Sequence, residues 1–320
     1  MRRRSLLLAG LAAPAFSRRA LSAEKVRVAV LNVSVAFPFW VAQERGLFAA
    51  EGIEAEAVPL QTPPLIIQTL VSGDADMTSN LVTLEGANIN ARRANTVLYF
   101  CLNGQNAQHR MEQFLVRTGS GVQRIADLKG SRIVSAPGPA NMAAARGVLA
   151  ANGLQEGRDY TLTEQPMGVH VGALQAGTFD AAYTLEPVAT IAIQQGAARV
   201  LEAGVIATYL LKKPGAQSFA SGAAVSGRFL QERPEVVRRV ARAWEQAIGL
   251  IGSDRSTREY LVTRLQTPAD VAGTVPMTSF NMVKDLTSAQ VADFQAFVDI
   301  AVRQGVVRDS IDVRSFIRAV

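Results

Sequence analysis

From Val26 onward, short runs of aliphatic and β-branched residues alternate with stretches of helical periodicity, most of them closed by glycine. Val26 to Asn32 predicts a strand, Pro38 to Ala50 a helix that stops at Gly52, and Glu54 to Leu60 a second strand. Pro64 to Ser72 predicts a helix ending at Gly73, Met77 to Asn80 a short strand, Thr83 to Ala94 a helix and Thr96 to Leu102 a strand. A second series starts near Asp127, with strands at Arg132 to Ser135, Tyr160 to Glu164 and Ala181 to Thr184. Helices at Ala140 to Asn152, Val169 to Ala176 and Pro187 to Gly196 separate and follow them. Strand–helix alternation with continuous apolar strands predicts an α/β layer structure with mainly parallel sheets. The last hundred residues read as mostly helical, over Pro234 to Gly252, Ser256 to Leu265 and Ser288 to Gly305. In the first of these, Val237, Val240, Ala241 and Trp244 form an inward stripe, and Arg238, Arg242 and Glu245 a solvated face.

One segment occurs twice. Leu70-Val-Ser-Gly73-Asp-Ala-Asp76 matches Leu174-Gln-Ala-Gly177-Thr-Phe-Asp180. Each copy ends a helix at a glycine able to take the left-handed conformation, and an aspartate then opens a short apolar strand. Two copies at the same place in two βαβ series predict two lobes of similar design. A two-lobed α/β protein holds its ligand in the cleft between lobes, near the carboxyl ends of the strands.

Composition and charge refine this picture. With 48% hydrophobic and 19% charged residues, the 320-residue chain is globular and not disordered. The formal charge of +6 suggests a polyanion partner until the charges are located. Arg2, Arg3, Arg4, Arg18 and Arg19 lie in the first two dozen residues, and removing these five leaves +1. Nucleic-acid binding thereby loses its electrostatic basis. The same segment reads as an export signal over residues 1–23: a basic start, an apolar stretch from Leu6 to Phe16, and a polar, small-residue end. The stretch is about half the length of a membrane span, so the chain is not expected to be embedded in a membrane. Arg3-Arg4-Ser5-Leu6-Leu7 favours twin-arginine export over the general secretory route. Cys101 is the single cysteine; it sits in an apolar run and reads as a buried hydrophobe, with no disulfide framework and no thiolate metal site.

Several landmarks occur together and in order. Phe39-Trp40-Val-Ala-Gln-Glu-Arg-Gly46-Leu47-Phe48-Ala-Ala-Glu-Gly52-Ile53, Gly73-Asp-Ala-Asp76, Asp127-Leu128-Lys129-Gly130, Gly177-Thr-Phe-Asp180-Ala-Ala and Glu186-Pro187 run through residues 26–230. This set resembles the periplasmic substrate-binding proteins of ABC transporters for nitrate, sulfonates, taurine and thiamine-pyrimidine precursors. The resemblance implies a type II periplasmic-binding fold, with one lobe from residues 24–116 and 215–320 and the other from 117–214. It places hinges near Arg117 and Pro214. It also implies ligand-driven closure, and docking of the closed monomer on a membrane permease with its ATPase.

Within that fold, contacts come from loops after strands and from helix starts. In the first lobe these are Ser34, Phe37, Gln61, Ser79 and Asn80, with Asn106 and His109 further on. In the second, Ala136-Pro-Gly138-Pro-Ala140-Asn141 leads into a helix whose free N–H groups suit a nitrate, sulfonate or carboxylate; the alternative is an ordinary turn. Tyr183 and Glu186 end a strand, and Glu186 either receives a cationic group or caps the next helix. Phe39 and Trp40 read as core, whereas Phe37 sits in the loop where stacking on an aromatic ligand is open to it. His109 and His170, the only histidines, either meet across the cleft as donors or are merely solvated.

No nucleophile elbow, Walker loop or dinucleotide fingerprint is present, and no His/Cys/Asp/Glu set has metal-ligand spacing, so neither cofactor nor metal is expected. The aspartates of the repeated segment read as structural. Enzymes of thiamine-pyrimidine synthesis share the implied fold but resemble one another through a cysteine-rich motif that this chain lacks. The expected function is therefore solute capture for an ABC importer. The expected ligand is a small organic anion, a sulfonate or carboxylate with aromatic bodies included. A thiamine-precursor pyrimidine is the neutral alternative, and a ligand sensor the alternative role.

Overall fold

The computed structural model describes residues 23–320, so the expected export signal lies outside the described residues but for Ala23. The first series of elements is β1 (Glu24–Leu31), α1 (Phe37–Glu44), α2 (Leu47–Ala50), β2 (Ile53–Leu60), α3 (Pro63–Ser72), β3 (Met77–Val82), α4 (Thr83–Arg92) and β4 (Val97–Gln105). The second is β5 (Glu112–Arg117), β6 (Ser131–Ser135), α5 (Pro139–Ala151), β7 (Tyr160–Glu164), α6 (His170–Gln175), β8 (Ala181–Leu185), α7 (Val188–Gln194) and β9 (Ala198–Ala203). The third is β10 (Ser218–Ser226), α8 (Gly227–Glu232), α9 (Pro234–Ser253), α10 (Glu259–Thr263), α11 (Ala269–Ala272), β11 (Ser279–Met282) and α12 (Ser288–Arg303). The helix expected over Pro38 to Ala50 is two pieces, because Gly46 between them takes a left-handed conformation at φ +66°.

The strands form two sheets, ordered β11-β4-β10-β3-β1-β2 and β7-β6-β8-β5-β9. Strand β1 pairs parallel with β2 and β3, and β6 parallel with β7 and β8. Besides the edge strand β11, antiparallel to β4, two interior strands run the other way: β10 is antiparallel to β3 and β4, and β5 to β8 and β9. Both follow a passage between sheets. The chain leaves β4 at the carboxyl ends of the first sheet and enters the second from the same gap, so β5 must run away from that gap. The return into β10 obeys the same constraint. The first passage falls at residues 106–111, ahead of Arg117, because Glu112–Arg117 is already paired in the second sheet. The second falls at residues 204–217 and contains Pro214.

Strands β5, β9, β10 and β11 did not stand out as apolar runs. Strand β10, Ser-Phe-Ala-Ser-Gly-Ala-Ala-Val-Ser, is built of small residues because it is squeezed between β3 and β4. A Cβ at Gly222 would come within 2.4 Å of the Cys101 carbonyl oxygen. Helix α9 presents Val237, Val240, Ala241 and Trp244 to the core, leaving Arg238, Arg242 and Glu245 exposed. Trp244 packs edge-on against Phe100, with ring centroids 5.5 Å apart. The opposite face of the first sheet shares one continuous apolar core with the second sheet, joining Ile66, Leu84 and Phe294 to Phe114, Ile133 and Tyr183.

The repeated segment builds the same clamp in both sheets. Gly73 and Gly177 close their helices at φ +84° and +69°, where a side chain would be strained. Asp76 accepts the Arg27 backbone N–H at 2.8 Å and lies 3.1 Å from its guanidinium, and its own N–H donates to the Arg27 carbonyl. Asp180 does the same with Arg132, at 2.9 and 3.0 Å. The carbonyls of Asp76 and Asp180 then accept the Ser226 and Arg117 N–H groups at the ends of the two reversed strands. Each clamp therefore ties three strands together at the end of the sheet away from the gap.

Replacing either aspartate removes charge-assisted hydrogen bonds, an expected loss of about 1–3 kcal/mol in urea unfolding. Asp76→Ala is expected to cost more than Asp180→Ala, since its side chain is 13% exposed against 32%. Neither substitution reaches the gap between the sheets, because the clamps stand at the far ends of the strands.

Candidate functional site

A cavity of about 570 Å³ lies between the sheets, within the range of small-molecule sites. Its wall contains the last residues of β1, β2 and β3 (Leu31, Leu60 and Val82) and of β7 and β8 (Glu164 and Leu185). First-turn residues of α3, α5 and α7 complete it, as crossover geometry requires: a helix that follows a parallel strand begins at that strand's carboxyl end. The reversed strands contribute their entry points, Glu112 from β5 and Ala220 and Ser221 from β10.

Four of the residues expected from sequence stand in this wall: Gln61, Asn80, Ala140 and Asn141. Gln61 is exposed at the end of β2, and Asn80 is buried with its Oδ1 3.5 Å from the Asn103 amide. The Asn141 amide donates to the Pro137 carbonyl at 2.6 Å, which anchors the start of α5. Gly138 is the residue before that helix, and its φ of +104° turns the chain into it.

The other expected residues lie behind the wall. Ser34 is buried; its hydroxyl donates to the Met111 sulfur at 3.4 Å and its N–H to the Glu186 carbonyl at 3.3 Å, so it joins the two sheets. Phe37 packs wholly inside the apolar core beside Phe39 and Phe48. The Ser79 hydroxyl donates to the Ala29 carbonyl. Asn106 folds the first passage, its Oδ1 accepting the N–H groups of Gln108 and His109. Glu186 is buried, and its carboxylate accepts from the N–H and hydroxyl of Thr190 in the first turn of α7 and from the Gln113 amide. Of the two roles open to it, the capping one is what these contacts make.

The histidines do not meet. His170 is neither solvated nor in the cavity wall: its ring nitrogens lie 2.9 Å from the Thr184 hydroxyl and 3.2 Å from the Gln165 carbonyl. Burial lowers its pKa, which favours the neutral ring. His109 remains partly exposed on the passage between sheets and does not line the cavity.

Glu112 is the buried carboxylate of the wall that sequence reasoning missed, beside other unforeseen polar residues such as Glu164, Gln165, Ser221 and Gln304. It opens β5, and without that strand the stretch Gln108 to Gln113 reads as a polar loop. Glu112 is 7% exposed and accepts the Tyr183 hydroxyl at 2.7 Å. Tyr183 thus touches the cavity through Glu112 and not directly. Burial raises the Glu112 pKa, while hydrogen bonds from Tyr183 and Gln105 pull it back. The remaining wall is mostly apolar and amide, from residues such as Val33, Ile191, Phe297 and Gln304, with Thr62, Glu164 and Ser221 among them. No lysine, arginine or histidine lines it among the described residues.

A second groove of about 850 Å³ adjoins the cavity across Ala143 and Gln304. Arg92, Arg146 and Arg308 line it together with Glu85, one of whose oxygens is buried without a partner. Burial pushes Glu85 up from its ordinary 4.5 to about 7.

Two mixed sheets facing one another across a cavity at their strand ends define the fold of the periplasmic binding proteins. The chain belongs to the NMT1/THI5-like family, whose model matches residues 34–254. No curated protein matches it at a significant level. Among solved structures, the alkanesulfonate-binding protein SsuA from Xanthomonas axonopodis pv. citri, bound to MOPS, aligns with a TM-score of 0.73 at 22% identity, covering 92% of this chain and 98% of that one. The periplasmic nitrate-binding protein NrtA from Synechocystis PCC 6803 aligns at 0.69 and 13% identity, covering 92% and 86%. The desulfurization enzyme DSZB aligns at 0.67 and 16% identity, covering 92% and 96%. The fold therefore serves binders and an enzyme alike.

The Glu85 carboxyl gives the site region a pH signature. Its folded pKa lies above its unfolded one, so stability present below pH 4.5 is lost as pH rises toward about 7. Glu85→Gln escapes that loss. Its unfolding free energy should match the wild type near pH 4.5 and exceed it by about 1–3 kcal/mol above pH 7, read by denaturant melts across that range.

Proposed function

We propose that the protein is the solute-binding component of an ABC importer. On this reading it is exported to the periplasm, works as a monomer, and captures a small organic molecule in the cleft for delivery to a permease and its ATPase. The observation that carries this reading is the cavity itself, whose wall is shared between two sheets joined by two passages of chain. A ligand there touches both lobes at once, and contacts made with both only when they are shut drive closure as a population shift.

Binding fits the wall better than catalysis does. Its side chains are aliphatic groups, Phe297, two methionines, amides, a serine, a threonine and two carboxylates, Glu112 and Glu164, and among the described residues no histidine stands there to activate the serine. Cys101 stands in the apolar core with its thiol pushed up to about 12, far from a nucleophile's range. A small inorganic anion fits poorly where no cation lines the wall, and the long aliphatic surface asks for an organic body. An organic sulfonate or carboxylate would rest its charge on the free N–H groups of Ala140 and Asn141 at the start of α5. A sensor would use the same cleft, and the genes beside this one would distinguish the roles.

A thermal-shift screen of the chain from Glu24 onward tests the reading. A true ligand at a hundredfold excess over its Kd is expected to stabilise the fold by about 2.7 kcal/mol. Ala140→Trp, which fills the cavity at the start of α5, should abolish the shift while leaving the unliganded melting temperature within a few degrees. A shift that survives Ala140→Trp would place the ligand elsewhere, and conversion of the ligand during incubation would make the protein an enzyme.

A further inference from the structure

We infer that the ligand carries an amino, amidino or comparable hydrogen-bond-donating group on an apolar body, and that Glu112 receives that group. This rests on the reading of the cleft as a capture site and replaces the organic anion by a donor-bearing ligand.

The charge of the cavity argues first. Glu112 and Glu164 are the ionisable residues of its wall, Glu164 exposed and Glu112 deep. An anion bound inside would have to approach Glu112 with no side-chain cation to offset it. The arginines of the neighbouring groove do not supply one, since Arg92, Arg146 and Arg308 line that groove and not the cavity, and Arg146 is paired with Glu156 at 2.6 Å.

Helix starts are the other source of positive potential, and here proline thins them. Pro63 and Pro64 open α3, Pro139 opens α5 and Pro187 precedes α7. Proline has no N–H, so each removes a donor from the end that would hold an anion. At α5 the Met142 N–H is already bonded to the Gly138 carbonyl, which leaves Ala140 and Asn141.

Glu112 itself is built as an acceptor. A carboxylate offers about four lone-pair positions. Tyr183 takes one at 2.7 Å and Gln105 lies beside another, leaving capacity on the side that lines the cavity. An apolar residue at this position would avoid the cost of burying a carboxyl group, so a role toward a donor explains what packing does not. The aliphatic wall around it suits the body of such a ligand.

The test pairs probes of one carbon skeleton: benzylamine, benzamidine and aminopyrimidines against benzoate, benzenesulfonate and pyrimidine carboxylates, by thermal shift and then calorimetry. Saturable binding is expected in the donor series, with the anionic partners at least tenfold weaker. Glu112→Gln should weaken the donor probes at least tenfold, and Glu235→Gln, on the exposed face of α9, should leave them unchanged. Should Glu112→Gln fail to fold, the wild type's choice within each pair still decides. Preference for the anionic partners, or donor probes held as tightly by Glu112→Gln as by the wild type, overturns the ligand class and leaves the capture reading standing. Silence from both series also overturns it. Chemical conversion of a bound probe, seen by mass spectrometry, would sink the capture reading instead.

Discussion

Everything about this molecule follows from one geometric constraint: both sheets aim the carboxyl ends of their main strands at the same gap. A chain that crosses such a gap arrives at the wrong end of the next sheet to continue in parallel, so its first strand there must run backwards. That is why β5 and β10 are reversed and why each lies inside its sheet, next to β8 in one and between β3 and β4 in the other. The reversed strands also bring residues into the gap from the opposite direction, and Glu112 is the one with chemistry to offer.

Away from the gap, the duplicated Arg–Asp clamps hold each reversed strand to its parallel neighbours. The hydrogen bonds are charge-assisted, and those of Asp76 are partly shielded from water, the condition under which such pairs contribute more than an exposed ion pair. Each lobe is thus stiffened at its outer end while the inner ends remain for ligand. The cross-sheet contacts of Ser34 with Met111 and Glu186 sit beside the first passage, where they tie the lobes with neutral, weak bonds. Such bonds are cheap to rearrange.

The cleft combines two tendencies of the fold that oppose each other electrostatically. Helices beginning at strand ends give it a positive background. Prolines at those helix starts and the buried carboxyl of Glu112 offset that background locally. The result is a wall of apolar, amide and carboxylate side chains with no cationic side chain among the described residues. This distinguishes the cavity from the charge-lined groove next to it, where three arginines gather.

The sequence by itself determined the architecture of this protein. Hydrophobic period, glycine stops and the twice-used Gly–Asp segment report local chain geometry, and local geometry is written in adjacent residues. Strand β7 and the start of α9 fall where the pattern put them. So, within a residue or two, do β1, α3, β6 and β8. The strands it hid are those whose composition answers to neighbours distant in the chain: β10, kept small by Cys101 and Tyr99 on β4, and β5, which opens on Glu112 at the cavity and on Gln113 bonded to Glu186. The candidate site divides the same way. Gln61, Asn80, Ala140 and Asn141 were legible because strand ends and helix starts are local features. Whether Ser34, Phe37, Tyr183 or Glu186 points into the cleft or into the core depends on which elements pack behind them, and only the tertiary structure decides that. Glu112 was invisible for the same reason, because a carboxylate becomes a site only when folding removes its water and leaves one side open.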